Sequence, residues 1–136
     1  MKLKRLLAAV AVLALFAPAA HADQAGLDRA VRDAVKTYRG GGASALMEVS
    51  QVCYPANNKF VDNGEKVDYC VGFDMASLFI LTHTKTPKPQ YFDPLISLSR
   101  MTGAAEHAGL FVGPSGLDQY VGSRMNFVES RVPSKL

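Results

Sequence analysis

Apolar residues recur at spacings of three and four positions between Gln24 and Tyr38, with charged residues at the positions between them. This spacing predicts an amphipathic helix, because residues three or four apart lie on the same helical face. The apolar stripe consists of Leu27, Ala30, Val31, Ala34, Val35 and Tyr38. Glycines at 40–42 predict the end of this helix, since glycine adopts the left-handed cap conformation at little steric cost. A second helix is predicted over residues 43–53.

The segment 66–83, KVDYCVGFDMASLFILTH, is apolar on nearly every helical face. A helix of this kind is surrounded by other elements, so we expect it to be the central helix. Prolines at 87 and 89 exclude its continuation. Asp93 and Pro94 then predict the cap and the first residue of a fourth helix.

The last predicted helix follows Ser115, where Asp118 three residues later resembles an acidic capping box. No segment alternates apolar and polar residues with a period of two, so no strand is predicted. The whole pattern therefore predicts an all-α bundle of about five helices.

The first 22 residues have the composition of a secretory signal peptide. Cations at positions 2, 4 and 5 precede an apolar run over residues 6–16, and small residues surround a cleavage position after Ala22. The run is about half the ~20 residues that a spanning helix needs. We therefore expect cleavage after Ala22, a single domain over residues 23–136, a periplasmic location and no stable membrane anchor.

Loss of this leader changes the charge balance. The chain has 15 basic and 12 acidic residues, and three of the basic residues, but no acidic one, lie in residues 1–22. The exported form would therefore carry no formal net charge. It also lacks a run of Lys and Arg with interleaved aromatic residues, so we expect no nucleic-acid partner.

The two cysteines of the chain, Cys53 and Cys70, are predicted to form a disulfide bond. A zinc site would need two further ligands, for which only His83 and His107 remain in the exported chain. The wide spacing excludes a redox pair of the thioredoxin kind, and a cysteine nucleophile would need a free thiolate beside a histidine. In an oxidising compartment a covalent link is the expected state. We expect neither a metal nor another cofactor.

The known catalytic patterns are missing from the sequence. There is no nucleophile elbow, no Ser-x-x-Lys and no phosphate-binding glycine loop. Asp68 and Asp74 fall on different sides of the central helix, which does not favour a catalytic carboxylate pair. We expect Asp74 to be a hydrogen-bonded structural residue and His83 to interact with the helix dipole. The sequence leaves other roles of these residues, and that of His107, open. The protein is predicted not to be an enzyme.

Residues 46–58 and 66–77, LMEVSQVCYPANN and KVDYCVGFDMAS, resemble the Rap/Tai-type immunity proteins of type VI secretion systems. Those proteins have a helix that ends in cysteine, a variable polar loop, and Cys-x-Gly-aromatic at the start of a long apolar helix. The matching positions are Leu46, Cys53, Tyr69, Cys70, Gly72 and Phe73. The family's Phe-Cys-x-Pro-x-Gly segment is matched by Phe111, Pro114 and Gly116. Val112 stands where that segment often has its cysteine.

The resemblance implies a periplasmic helical protein that binds and inhibits a peptidoglycan-cleaving amidase effector, often as a homodimer. An inhibitor of a cleft enzyme needs a protruding segment, and the loop between the cysteines contains one apolar residue, Phe60, among polar ones. This pattern is typical of a binding hot spot with a polar rim. The predicted partner contacts are Lys59, Phe60, Asp62 and Glu65. Packing of Phe60 onto the core is the alternative interpretation.

Two other functions share these features. A small periplasmic chaperone of the acid-activated kind would have the same size, export signal and single disulfide, and would bind many unfolded clients at low pH. A cysteine hydrolase would need a free thiol. A second candidate surface is the proline-containing segment 83–92, at the other end of the central helix.

Overall fold

The computed structural model describes residues 19–54 and 63–136, with side chains from Gln24 onward. The described ranges contain helices and no strand, which confirms the all-α class. The helices are α1 (Ala19–Cys53), α2 (Gly64–His83), α3 (Pro94–His107) and α4 (Gly113–Arg131), and a short 3₁₀ turn, Gln90–Phe92, precedes α3.

The number of helices differs from the prediction of about five. The two helices predicted over 24–38 and 43–53 are the two arms of one kinked element, α1, and the backbone at the kink is not helical. The kink lies at Gly42, whose φ of 65° and ψ of −152° are accessible mainly to glycine. The described residues therefore contain four α-helices, and α1 consists of two arms that meet at the Gly42 kink.

Helix α2 is the centre of the bundle, as its sequence predicts. It packs against α1, α3 and α4, and buries residues on every face. Helices α1 and α2 lie close together at Gly72, where a Cβ atom would lie 2.7 Å from Leu27 Cδ2 and 3.2 Å from Ala30 Cβ. A larger residue at 72 would separate the two helices, which explains the glycine.

Side-chain caps set the starts of two helices. The Asn63 side chain accepts a hydrogen bond from the Lys66 amide at 3.1 Å, at the start of α2. Asp93 accepts from the amides of Leu95 and Ile96, as predicted for α3. The capping box predicted at Ser115 is wrong, because α4 already begins at Gly113 and its N-cap residue makes no side-chain cap hydrogen bond.

The predicted disulfide is present and joins the end of α1 to the second turn of α2. The Cα atoms of Cys53 and Cys70 lie 5.7 Å apart, within the usual range for a disulfide. Residues 55–62, which include the predicted contacts Lys59, Phe60 and Asp62, lie outside the described residues. The bond therefore joins the two helices that flank residues 55–62, here called the bridged segment.

No helix in the described part of the chain is long and apolar enough to cross a bilayer. The apolar run at 6–16, on which the signal-peptide prediction depends, lies outside the described residues. Cleavage after Ala22 therefore stays a prediction.

The first testable prediction concerns the disulfide. Cys70→Ser should lower the free energy of unfolding by about 2–5 kcal/mol, because the unfolded chain is no longer constrained by the cross-link. Denaturant unfolding followed by circular dichroism measures this difference. The double variant Cys53→Ser/Cys70→Ser should be close to the single variant, since the same single link is lost in both. An unchanged midpoint for Cys70→Ser contradicts the prediction.

Candidate functional site

Two aspartates on α2 are buried in the bundle. The exposed fraction is 1% for Asp68 and 0% for Asp74. Burial of a carboxylate is costly unless hydrogen bonds and an opposite charge compensate the lost hydration. Each aspartate therefore requires hydrogen-bond donors and a cation from the neighbouring helices.

Asp74 is paired with Arg100 of α3. Nε and Nη2 of Arg100 both donate to Oδ2 of Asp74, at 2.9 and 2.7 Å. The Ser50 hydroxyl of α1 donates to Oδ1 of Asp74, and because its only proton is used there, Ser50 Oγ accepts from the Tyr91 hydroxyl at 2.8 Å. The Arg100 guanidinium lies over the Tyr91 ring, 3.8 Å from its centroid. This network connects α1, α2 and α3.

Burial has a consequence for the protonation of Asp74. Desolvation raises the pKa of this carboxyl above its usual range, and this effect outweighs the opposing attraction of Arg100 and the hydrogen bonds from Ser50 and Arg100. Tyr54 lies in the same region, and burial raises the pKa of its phenol well above the usual value. Its hydroxyl has no hydrogen-bond partner among the described residues.

Asp68 forms a second, separate pair with Arg124 of α4. Arg124 donates from Nε to Oδ1 at 2.7 Å and from Nη2 to Oδ2 at 2.8 Å, a two-pronged geometry that suits a guanidinium and a carboxylate. The Tyr120 hydroxyl donates to Oδ1 at 2.6 Å, and the Arg124 guanidinium lies over the Tyr120 ring. Burial raises the pKa of Tyr120. This pair connects α2 to α4.

These two clusters explain the aspartates structurally. They confirm that Asp74 is hydrogen-bonded within the fold, and they leave little access for a substrate, because the Arg100 and Arg124 side chains are only 15% and 13% exposed. Sequence reasoning missed both arginines. A carboxylate in an apolar helix does signal that a cation must lie nearby, but several arginines on predicted helices could have supplied it.

A charged pocket of about 510 Å³ lies at the disulfide end of α2. Its lining residues are Arg29, Asp33, Cys53, Asn63, Glu65, Lys66, Tyr69 and Cys70. The Tyr69 hydroxyl donates to Asp33 at 2.7 Å, and the Arg29 guanidinium lies 5.2 Å from the Tyr69 ring centroid. Burial, together with this hydrogen bond to Asp33, raises the pKa of Tyr69 to about 12. The pocket lies between α1 and α2 and includes both cysteines of the disulfide.

The structure places one of the four predicted partner contacts. Glu65 is exposed in the first turn of α2 and lines the charged pocket beside Lys66. The other three belong to residues 55–62. Glu65 therefore lies on α2, three positions after the end of the bridged segment.

The two histidines that sequence analysis singled out lie at the ends of helices. His83 and His107 occupy the last turns of α2 and α3, and both are exposed. His83 Nδ1 donates to the Phe79 carbonyl oxygen at 3.0 Å, which agrees with the expected position near the negative end of the helix dipole. Within residues 19–54 and 63–136, no group of three or more His, Cys, Asp or Glu side chains is placed to hold a metal ion.

The second prediction tests the Asp74–Arg100 pair. Arg100→Met should lower the free energy of unfolding by about 3–5 kcal/mol, because Asp74 remains buried without its cation. Replacing both residues, as Asp74→Leu/Arg100→Met, should cost less than the single change. The matched control is Arg32→Met, since Arg32 is 68% exposed and pairs with Asp28 at 3.7 Å; its cost should stay below about 1 kcal/mol. Equal effects of Arg100→Met and Arg32→Met would refute the account.

The third prediction concerns pH. Because the folded-state pKa of Asp74 is raised, the folded protein binds this proton more tightly than the unfolded chain does. The free energy of unfolding of wild type, relative to that of Asp74→Asn, should therefore increase as pH falls through the folded-state pKa. It should become constant below the unfolded value of about 3.9. Denaturation of both proteins at several pH values measures this difference. A shift in the opposite direction would show a lowered pKa.

Comparisons with known proteins assign the chain to no family: no family model matches it, and neither the curated proteins nor the solved structures include a significant match.

Proposed function

We propose that the protein is a periplasmic inhibitor that binds a peptidoglycan-degrading amidase effector of a type VI secretion system. The observation that carries this proposal is the Cys53–Cys70 bond, which joins the two helices on either side of the bridged segment 55–62. A segment whose ends are fixed loses less conformational entropy when it binds, so a larger part of the contact energy appears as affinity. The sequence resemblance supplies the class of partner.

The binding surface is the bridged segment together with the charged pocket beside it. Lys59, Phe60, Asp62 and Glu65 are the proposed contacts, and Glu65 extends this surface onto α2. The pocket carries charges of both signs, from Arg29, Asp33, Glu65 and Lys66. Such a pattern favours one complementary partner over others, because a mispaired charge is costly in a desolvated interface.

An adjoining face of α1 is basic. Arg29, Arg32, Lys36 and Arg39 are exposed and follow one another at spacings of three, four and three residues, which places them on one side of the helix. An effector with acidic residues around its active-site cleft would complement this face. Association should then slow as ionic strength rises, because screening weakens electrostatic steering.

In this role the protein catalyses no reaction of its own. Inhibition requires only that the bound protein cover the cleft of the effector. The two buried ion pairs connect α2 to α3 and α4 in the bundle that carries the segment. The homodimer implied by the resemblance remains a prediction, which sedimentation analysis of the purified protein tests directly.

The fourth prediction is a binding experiment with the product of the adjacent gene, since an immunity gene is expected beside its toxin. Glu65→Lys and Asp62→Lys should each weaken capture of that protein at least tenfold, and Phe60→Ala should weaken capture without lowering the unfolding midpoint. Asp118→Lys, an exposed charge reversal on α4, is the matched control and should bind like wild type. Surface plasmon resonance gives both the affinity and the association rate.

The same experiment distinguishes the other interpretations. If the variants at 60, 62 and 65 bind like wild type while replacement of residues 87–91 abolishes binding, the bridged segment is the wrong surface. A loss of stability on Phe60→Ala would show that this ring packs on the core. Capture of many unfolded proteins at acid pH, with no preference for the adjacent gene product, would support the chaperone function instead.

A further inference from the structure

An apolar groove of about 360 Å³ lies between α2, α3 and α4, towards the His83 end of α2. Its lining residues are Met75, Leu78, Phe79, Thr82, His83, Lys88, Pro94, Leu98, Met101 and Met125. The volume is within the range of small-molecule sites, which are concave and mostly apolar. The charged pocket lies at the other end of α2, so the groove is a separate feature.

The groove has a buried floor and exposed walls. Met75 and Met101 form the floor and are almost fully buried, whereas Leu98 and Met125 on the walls are each 42% exposed. The three methionines are flexible and polarisable, and such side chains adapt to apolar ligands of different shapes. Apolar surface that stays in contact with water in this concave arrangement favours an apolar occupant.

One end of the groove's rim carries a cation, Lys88, beside the polar side chain of His83. Lys88 and His83 are exposed there, and no Asp or Glu is among the lining residues. Lys88 makes no salt bridge with any residue in the described ranges. A ligand that fits this groove would therefore have an apolar chain and one negatively charged end.

We propose that the groove binds a free single-chain fatty acid. The alkyl chain lies against Leu78, Phe79 and Leu98, and the carboxylate lies at the rim beside Lys88 and His83. This placement suits both parts of the ligand, since the alkyl chain leaves water and the carboxylate lies next to the Lys88 ammonium group. This binding is independent of the proposed inhibition of an effector.

A second copy of the chain fits the groove less well. A two-fold contact would place the same patch on both sides, so that one concave surface would face another and leave space between them. It would also bring the rim cations of the two copies towards a common interface, where like charges repel. A fatty acid meets neither difficulty.

The test uses the methionine methyl groups as probes in NMR spectra of the purified protein. Octanoate, decanoate and dodecanoate are titrated separately, below the concentrations at which they form micelles. The methyl signals of Met75, Met101 and Met125 should shift in a saturable way, while that of Met47 on α1 should not. Affinity should increase about fourfold for each added methylene until the chain fills the groove.

Matched variants separate the two parts of the ligand. Lys88→Glu should weaken dodecanoate binding about fivefold or more and leave dodecanol binding nearly unchanged, whereas Lys36→Glu, an exposed charge reversal on α1, should affect neither ligand. Leu98→Asp should abolish binding of both ligands. Leu95→Asp is its control, because Leu95 lies on the same helix, is exposed and does not line the groove. Circular dichroism confirms that each variant is folded.

Three outcomes would overturn the proposal. The first is the absence of a saturable shift at Met75, Met101 and Met125, or an equal shift at Met47. The second is that the wild type forms a dimer, that Leu98→Asp dissociates this dimer and that fatty acid does not affect it. This result would identify the groove as an interface between copies of the chain. The third is binding to anionic phospholipid vesicles without binding of the free fatty acids.

Discussion

The burial of α2 on all its faces is the constraint on which the rest of the structure depends. A helix surrounded by three others must satisfy every polar group that it carries, and α2 carries two carboxylates, Asp68 and Asp74. Their partners come from different helices: Arg124 on α4 and Arg100 on α3. Because an unpaired buried charge is costly, these pairs also restrict how α3 and α4 can pack. The ion pairs thus connect α2 to α3 and α4 within a mostly apolar core.

The disulfide and the Ser50 hydrogen bond connect α1 to the same central helix by different means. Cys53 is joined covalently to Cys70, and Ser50, one turn earlier on α1, donates to Asp74. The second arm of α1, residues 43–53, is therefore attached to α2 by both a covalent bond and a hydrogen bond. In the proposed inhibitor, attachment of the segment to a fixed base would reduce the entropy lost on binding.

The two ends of α2 differ in chemistry. One end carries the disulfide, the bridged segment and a pocket with charges of both signs. The other end carries an apolar groove with Lys88 at its rim. The charged end suits a protein partner with a complementary surface, and the groove suits an amphiphile.

The sequence by itself determined the helical class, the central position of α2, the cap at Asp93 and the pairing of the two cysteines, because each depends on local periodicity, local caps or the count of one residue type. Tertiary structure decided the rest. The glycines near Gly42 could end a helix or bend it, and the folded chain has a kink there between the two arms of α1. The partners of Asp68 and Asp74 lie 56 and 26 positions further along the chain, so no local pattern could select Arg124 and Arg100 among the arginines. The groove likewise exists only where three helices meet, since Leu78, Leu98 and Met125 come from separate helices.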